Sequence, residues 1–314
     1  MLHITYQNEN GTLDFKGGNG HNSWRILEID GLGLAPKSYS TAHYPTRIGQ
    51  HTLSETPEAR TISIQCDIHS IQGCYGSAQS NRMEITKALK ILNEPGILLI
   101  SDGYRTRKIN AYCAEALQGE RHGGYTVFAV QFVCDYPYFE DKDTKKVPIF
   151  KVDHLLGSGI RWHISNGQLT SHDIDKGTFM LPCLVTRYVT KANVMNIGDV
   201  DTEPIIKIFL NGGAYTGTVG TPGTLVIHNE STKQQIELNL KDADGITEVI
   251  VDIPNRRIYS QDNKNLIHHL APTSFLSDFW VQKGQNLIGV DNYISESCVV
   301  TCEFTNKYIE AVIG

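Results

Sequence analysis

Strict alternation of apolar and polar residues recurs along this chain and indicates antiparallel β-structure. The clearest runs span residues 61–69, 235–240 and 248–253. Side chains of a β-strand alternate between its two faces, so these runs predict strands with one buried and one solvated face. Residues 125–134 are apolar on both faces, which predicts a central strand. Turn-forming pairs such as Asp102-Gly103 separate the runs, as is typical of β-sandwiches.

One segment departs from this alternation and has helical spacing. Apolar side chains in residues 81–93 form a stripe, and Asn81 with Glu84 is a variant of the capping box. Pro95-Gly96 ends the segment. We therefore predict a single helix here, followed at once by a buried strand at residues 97–100.

The length of 314 residues corresponds to about two domains. Residues 136–143 pass from aromatic to charged side chains, and we predict the boundary there, between domains 1–140 and 141–314. A second break at residues 198–204 is predicted to be a long loop within the second domain. The predicted fold class is mainly β, with two β-sandwich domains, the first of which carries one packed helix.

Charge and composition exclude several classes of protein. The net charge of −6, from 28 basic and 34 acidic residues, argues against a protein that coats nucleic acid. The longest aliphatic run, residues 97–100, is far shorter than the about 20 apolar residues of a membrane helix. The N-terminus has no basic region followed by an apolar stretch, so we expect no signal peptide. Seven irregularly spaced cysteines predict reduced core thiols made in a cytosol, with Cys298 and Cys302 on the buried face of one strand.

Motifs that would bind a metal or carry catalysis are lacking. The sequence has no His-Glu-x-x-His motif and no Gly-x-Ser-x-Gly elbow. His268 and His269 are adjacent, so on a strand they would point to opposite faces and could not easily share an ion. Residues 199–203 carry three alternate carboxylates, but Pro204 stands where a calcium loop needs glycine, which favours a solvated acidic turn. Residues 31–35 predict a β-turn rather than a dinucleotide-binding loop.

Two stretches of the sequence together resemble a known family. The first joins the predicted helix and its exit to residues 127–139. The second begins at residues 196–208 and continues through residues 249–252 and 273–286. Their order and spacing resemble the distal tail protein of long, non-contractile-tailed bacteriophages, over most of the chain.

This resemblance implies both a fold and a function. In the family, the first domain is a β-sandwich with a helix, and six copies form a ring that continues the tail tube. DNA passes through the ring without specific binding, which fits an acidic protein because each neutralised phosphate would add affinity. The second domain is a galectin-like β-sandwich that docks receptor-binding or other baseplate proteins. The resemblance thus implies a homo-hexamer in the virion, in contact with the tail tube protein and the tail-associated tip protein, without catalysis, cofactor or membrane insertion.

Residues 37–60 contain few aliphatic side chains and are rich in tyrosine, arginine and proline. A long loop without a core of its own is uncommon in a compact domain and is usually functional or disordered. Tyrosine and arginine are enriched at protein interfaces. Our hypothesis is an arm that reaches onto the neighbouring subunit of the ring, with Tyr39, Tyr44 and Arg47 as interface residues; the alternative is a solvated surface loop.

Two other function classes stay open at this point. A two-sandwich protein could be a carbohydrate-binding, lectin-like module, because a fold does not determine a function. Such a module would need an aromatic platform, and the second domain has only Trp162 and Trp280, of which Trp280 is predicted to anchor in packing. A glycoside hydrolase would need two carboxylates facing one cleft. Mass in solution separates the first two classes, because a hexamer favours the tail hub and a monomer the lectin.

Overall fold

A computed structural model of the chain divides it into two compact units. Unit 1 consists of Met1–Thr144, Gly198–Val200 and Thr305–Gly314, and unit 2 of Lys145–Ile197 and Asp201–Phe304. The sequence predicts that each domain is one continuous stretch of chain, 1–140 and 141–314, whereas unit 1 also includes residues 198–200 and 305–314. The structure describes residues 2–15, 24–43, 48–69, 86–87, 89–90, 94–122, 125–156, 160–165, 168–170, 179–181, 184–210, 224–240, 246–292 and 298–311.

Strands are numbered along the whole chain, and those of unit 1 are antiparallel wherever they pair. Their bounds are β1 (His3–Asn8), β2 (Gly11–Asp14), β3 (Trp24–Asp30), β4 (Lys37–Ala42), β5 (His51–Pro57), β6 (Arg60–His69), β7 (Gly96–Ser101), β8 (Thr106–His122), β9 (Tyr125–Cys134), β10 (Phe139–Asp141) and β24 (Lys307–Tyr308).

The main sheet of unit 1 has the order β2-β1-β7-β8-β9-β6-β3. The long strand β8 turns this sheet back on itself, because residues 106–111 pair with β7 and residues 112–122 pair with β9. The two halves enclose one core, in which the rings of Tyr6 and Phe132 lie 4.7 Å apart. Strand β9 is central, as predicted, and Ile62 and Ile64 of β6 are buried as their alternation predicts.

The strand predicted as buried at residues 97–100 is only half-buried. Strand β7 turns Leu98 and Ile100 into the core, while Ile97 points away from it and is exposed. Four consecutive aliphatic side chains therefore occupy both faces of a strand that has one core-facing side. The predicted helix at residues 81–93 lies mostly outside the described residues; within it, Thr86 and Lys87 are helical.

Unit 2 is also antiparallel and contains two short 3₁₀ turns, Ile267–His269 and Leu276–Asp278. Its strands are β11 (Lys145–Leu156), β12 (Ile160–Ser165), β13 (Gln168–Thr170), β14 (Phe179–Leu181), β15 (Leu184–Val189), β16 (Lys191–Asn196), β17 (Ile205–Leu210), β18 (Thr224–Asn229), β19 (Gln234–Asn239), β20 (Glu248–Asp252), β21 (Arg257–Ser260), β22 (Gly284–Asn292) and β23 (Cys298–Phe304).

Two sheets of unit 2 share a single core. One has the order β15-β11-β23-β17-β20-β21 and the other β16-β22-β18-β19, while β13-β12-β14 form a small third sheet. Inward side chains of both large sheets, such as Ile208 of β17 and Ile227 of β18, belong to one buried cluster. Cys302 of β23 is part of it, as predicted from the alternation in that strand. The mainly β fold is thus confirmed, and the galectin-like form of unit 2 stays a prediction.

Cys66, Cys134 and Cys302 are buried free thiols, and Cys113 is half-buried and also free. Burial raises the pKa of the first three to about 12, so these thiols stay protonated and unreactive at neutral pH. Among the described residues, no helix has the length and apolarity that crossing a bilayer requires.

Candidate subunit interface

Tyr39 lies in a hairpin that forms a two-stranded sheet of its own. Strands β4 and β5 pair antiparallel, with a register shift after Ser40. The segment predicted as a loop is therefore a hairpin over most of its length. The signal that sequence reasoning missed is an alternation of hydroxyl side chains, as in Thr52, Ser54 and Thr56, which suits a strand solvated on both faces.

Most side chains of this hairpin are exposed within the single chain. Tyr39 is 58% exposed and Leu53 is 61% exposed. Because it buries no apolar face, a two-stranded hairpin alone is marginally stable in water. It therefore has the character of an element that gains stability by packing against another molecule. The other two predicted interface residues, Tyr44 and Arg47, lie outside the described residues.

The two ends of the hairpin meet at its base. The main-chain N–H of Glu58 donates a hydrogen bond to the carbonyl oxygen of Pro36 at 2.8 Å. Beside it, Lys37 and Glu55 form an exposed ion pair across the strands, and their hydrogen bond raises the pKa of Lys37. Exposed pairs of this kind contribute little to stability. The short span at the base means that the hairpin can be removed without stretching the flanking chain.

The turn at residues 31–34 receives a buried arginine rather than a cofactor. Arg60 is 1% exposed, although it is the last residue of the segment 37–60 that is predicted to be an arm. Its guanidinium donates hydrogen bonds of 2.7–2.8 Å to the carbonyl oxygens of Gly31, Gly33, Pro137 and Ile309. Gly31 has a φ of 87°, and a Cβ there would lie 2.1 Å from the carbonyl oxygen of Thr61. The glycine is therefore required by the fold.

The acidic turn of residues 199–203 is structural. Asp201 Oδ1 accepts a hydrogen bond from the main-chain N–H of Lys283 at 2.8 Å. Glu203 Oε1 accepts one from Arg256 Nη2 at 2.5 Å. The carboxylates that alternate like the start of a calcium loop thus bind protein groups. This refines the predicted solvated turn, because the side chains remain near solvent but have fixed partners.

Buried asparagines explain part of the sequence block that carries the family resemblance. Asn196 Nδ2 donates to the carbonyl oxygen of Val281 at 3.1 Å, and Asn286 Nδ2 donates to that of Gln282 at 2.7 Å. Thr202 and Val281 exchange two main-chain hydrogen bonds. These contacts join distant parts of the block within unit 2. Their spacing therefore reports a folding requirement rather than catalytic chemistry.

The adjacent histidines are arranged differently from the prediction. They belong to a 3₁₀ turn rather than a strand, so the rings of His268 and His269 lie on the same side, with centroids 4.1 Å apart. His269 Nδ1 lies 2.7 Å from the carbonyl oxygen of Asn239. Within the described part of the chain, no group of three or more His, Cys, Asp or Glu side chains is arranged to hold a metal ion.

Trp280, which the sequence predicts to be anchored in packing, is partly covered and partly exposed. It is 36% exposed, whereas the preceding Phe279 is buried in the core of unit 2. The alternation of the segment places only one of the two rings inward. The side chain of Trp162, the second candidate for an aromatic platform, lies outside the described part of the chain.

Comparison with known proteins gives a match in structure. No family model matches the sequence, and no curated protein matches it. The crystal structure of the SPP1 Dit protein (gp 19.1) aligns with a TM-score of 0.64 and 12% identity, over 98% of this chain and 99% of that chain. That protein is described as a paradigm of the hub adsorption apparatus in phages that infect Gram-positive bacteria.

Two structures of the phage P2 baseplate in its activated conformation are more distant. The one with Ca aligns with a TM-score of 0.48 and 9% identity over 98% of both chains. The one with Sr has a TM-score of 0.42 and 11% identity, over 96% of this chain and 98% of that chain. Likeness at these two scores is too weak to define a fold. The alignment with the SPP1 Dit protein, at a TM-score of 0.64, shows that the chain has the mainly β fold of that protein over nearly its whole length.

Proposed function

We propose that this chain is a structural hub protein at the distal end of a phage tail. It forms a ring that continues the tail tube, passes DNA and docks receptor-binding or other baseplate proteins. The observation that carries the proposal is the likeness of fold to the SPP1 Dit protein, a hub adsorption protein, over 98% of the chain. The sequence blocks that resemble the distal tail family lie in both units. They give support that does not depend on the structural alignment.

The proposed ring is a homo-hexamer built from unit 1. It contacts the tail tube protein on one side and the tail-associated tip protein on the other, while unit 2 docks the receptor-binding or other baseplate proteins. The net charge of −6 supports a conduit through which DNA passes without specific binding, since the chain has no excess of cations to hold phosphates. The assembled protein belongs to the virion.

Within this ring, the hairpin of β4 and β5 is the proposed arm onto the neighbouring subunit. Tyr39, together with Tyr44 and Arg47 in the segment between the strands, contacts a different surface on the next copy, because a closed ring has heterologous interfaces. The exposure of Tyr39 and Leu53 supports this role, since burying an aromatic ring or an aliphatic side chain at an interface contributes free energy of binding.

The proposed role includes no catalysis. A carbohydrate-binding module, the alternative left open by the sequence, is not favoured, because the fold aligns with a hub protein along nearly the whole chain. Exposure of Trp280 is the one observation in its favour, and a glycan array tests it. Specific glycan binding that is lost in Trp280→Ala would support the alternative.

Mass in solution tests the ring. The expected hexamer has six times 35.0 kDa, about 210 kDa, by light scattering, and electron microscopy of the same sample should show rings with a central channel. A protein that stays monomeric at every concentration, and that forms no ring when mixed with a tail tube protein, would contradict the proposal.

Removal of the hairpin tests the arm. Residues 37–57 are replaced by a short Gly-Ser linker, which the 2.8 Å contact between Glu58 and Pro36 allows. The product should stay folded and fall to monomers under conditions where the parent is hexameric. A milder variant, Tyr39→Ser with Leu53→Ser, should weaken the ring in the same direction. Tyr104→Ser is the matched control, because this tyrosine is exposed in another turn of unit 1. Hexamers that persist without the hairpin would contradict the arm.

A further inference from the structure

The last described residues of the chain, Thr305–Ala311, belong to unit 1 and are here called the C-terminal segment. Its strand β24 pairs with β10, which in turn pairs with β8. The main-chain N–H of Ala311 donates to the carbonyl oxygen of Leu32 at 2.9 Å. Tyr308 and Ala311 are part of the buried core of unit 1. The segment is therefore an internal part of this unit.

Two buried arginines of unit 1 take partners from the C-terminal segment. Arg60 donates to the carbonyl oxygen of Ile309, from which it is 249 positions distant in the sequence. Arg107 donates to the carbonyl oxygen of Glu310, 203 positions away, and its guanidinium lies 3.8 Å from the centroid of the Tyr308 ring. Both arginines are at most 2% exposed. Burial lowers the pKa of each guanidinium, yet an arginine side chain stays charged in proteins.

A half-buried carboxylate of unit 1 is satisfied by the same segment. Asp141 Oδ2 accepts hydrogen bonds from Asn306 Nδ2 at 2.5 Å and from the Tyr308 hydroxyl at 3.2 Å. The main-chain N–H of Asp141 also donates to the carbonyl oxygen of Asn306 at 3.1 Å. Asn306 is fully buried. Solvent is excluded from Asn306 and in part from Asp141, so leaving Asn306 without this partner carries a desolvation cost.

Unit 1 without the C-terminal segment would be incomplete. Arg107 would lose its stacked ring and a carbonyl acceptor, Arg60 would lose one of its four acceptors, and Asp141 would lose two side-chain donors. Losing one partner of a buried charged group is among the most destabilising changes a fold can undergo. Unit 2 does not include this segment, but its strand β23 lies between β11 and β17, so it is complete only when the chain reaches Phe304.

The geometry points to a delayed completion of unit 1, whose fold is finished only after the C-terminal segment has been synthesised. Domains generally fold from the N-terminus during synthesis, whereas this N-terminal unit waits for residues that follow unit 2. Residues 145–304 take on the order of ten seconds to synthesise, and unit 1 waits for that time. Resting on the proposed function, the consequence is that only chains that include the C-terminal segment enter the ring, because unit 1 forms it.

Ribosome-bound full chains test this dependence of unit 1 on the C-terminal segment. The whole chain is followed by an arrest linker that either keeps the C-terminal segment in the exit tunnel or lets it emerge. The readout is the labelling rate of Cys66 and Cys134, which are buried in folded unit 1 and have their pKa raised to about 12 by burial. We expect labelling with the short linker to be at least about tenfold faster than with the long linker. Equal protection with both linkers would overturn the proposal.

Two variants of the full chain with the long linker complete the test. Tyr308→Ala removes the ring over Arg107 and a donor to Asp141, so labelling should accelerate by about tenfold. Tyr104→Ala removes a tyrosine that is 97% exposed in the same unit and should leave labelling unchanged. If Tyr308→Ala behaves like this control, the proposal is wrong. Light scattering of the released chains is read separately, so a failed ring is distinguishable from a unit 1 that folds without the C-terminal segment.

Discussion

Replacement of Arg60 by methionine tests whether a buried guanidinium organises unit 1. Methionine keeps an unbranched side chain in the cavity but removes all the hydrogen-bond donors. The carbonyl oxygens that would lose their partner are those of Gly31, Gly33, Pro137 and Ile309. The cation also lies 4.3 Å from the centroid of the Phe139 ring, and this contact would be lost.

The expected cost is large for a single substitution. Four hydrogen bonds from a charged donor contribute roughly 1.5–3 kcal/mol each, net of the bonds to water that they replace. Methionine has no charge whose burial must be compensated, which offsets several kcal/mol of their sum. We therefore expect the free energy of unfolding of unit 1 to fall by about 3–5 kcal/mol, which is a substantial part of the roughly 5–15 kcal/mol typical of a domain.

The assay is thiol labelling during urea denaturation of the full chain. Cys134 reports on unit 1 and Cys302 on unit 2, because each is buried in its own core. In Arg60→Met, the urea midpoint for Cys134 should fall by about 2 M, while that for Cys302 stays near the parent value. Arg105→Met, which changes an exposed arginine of the same unit, is the control. A midpoint for Cys134 that matches this control would refute the reasoning.

Three further measurements address the core, the thiols and the alkaline limit. Ile64→Asp buries an unpaired carboxylate in β6 and should cost several kcal/mol; an unchanged melting temperature would mean that the strand faces the other way. Freshly denatured protein should titrate seven thiols without prior reduction, and fewer than six would reveal a disulfide. Burial, reinforced by Asp141, raises the pKa of Tyr308 to about 12. Since the folded state holds this proton more tightly than the unfolded state, with its pKa near 10, stability should fall between pH 10 and pH 12. Tyr308→Phe should show a smaller loss across that range, and an equal loss would exclude Tyr308 as the cause.

Strands with one buried face could be predicted from the sequence, because burial leaves a period of two in the chain. The alternation over residues 61–69 and 248–253 corresponds to β6 and β20 within a residue or two. The central position of β9 followed from apolar residues on both faces. Strand β7 was only half-predicted, because a run of aliphatic residues does not say whether one face or two are covered.

Features without such a period could not be predicted. The hairpin of β4 and β5 is solvated on both faces, so it lacks an apolar alternation, and only the weaker alternation of hydroxyl side chains in β5 indicates a strand. Arg60 belongs to a residue type that is mostly exposed, and its acceptors come from distant parts of the chain. Of the predicted interface residues, Tyr39 occupies an exposed strand as a binding element would, and its role remains a proposal.

Unit 2 begins and ends at neighbouring positions, since Lys145 of β11 is paired with Phe304 of β23. A domain whose two chain ends are adjacent can be replaced by another domain, provided that the ends of the replacement are also adjacent. Gly198–Val200 is the exception that such an exchange would have to respect, because these residues belong to unit 1. Recombination within residues 145–304 would then exchange unit 2 and leave the other residues of unit 1 under separate selection.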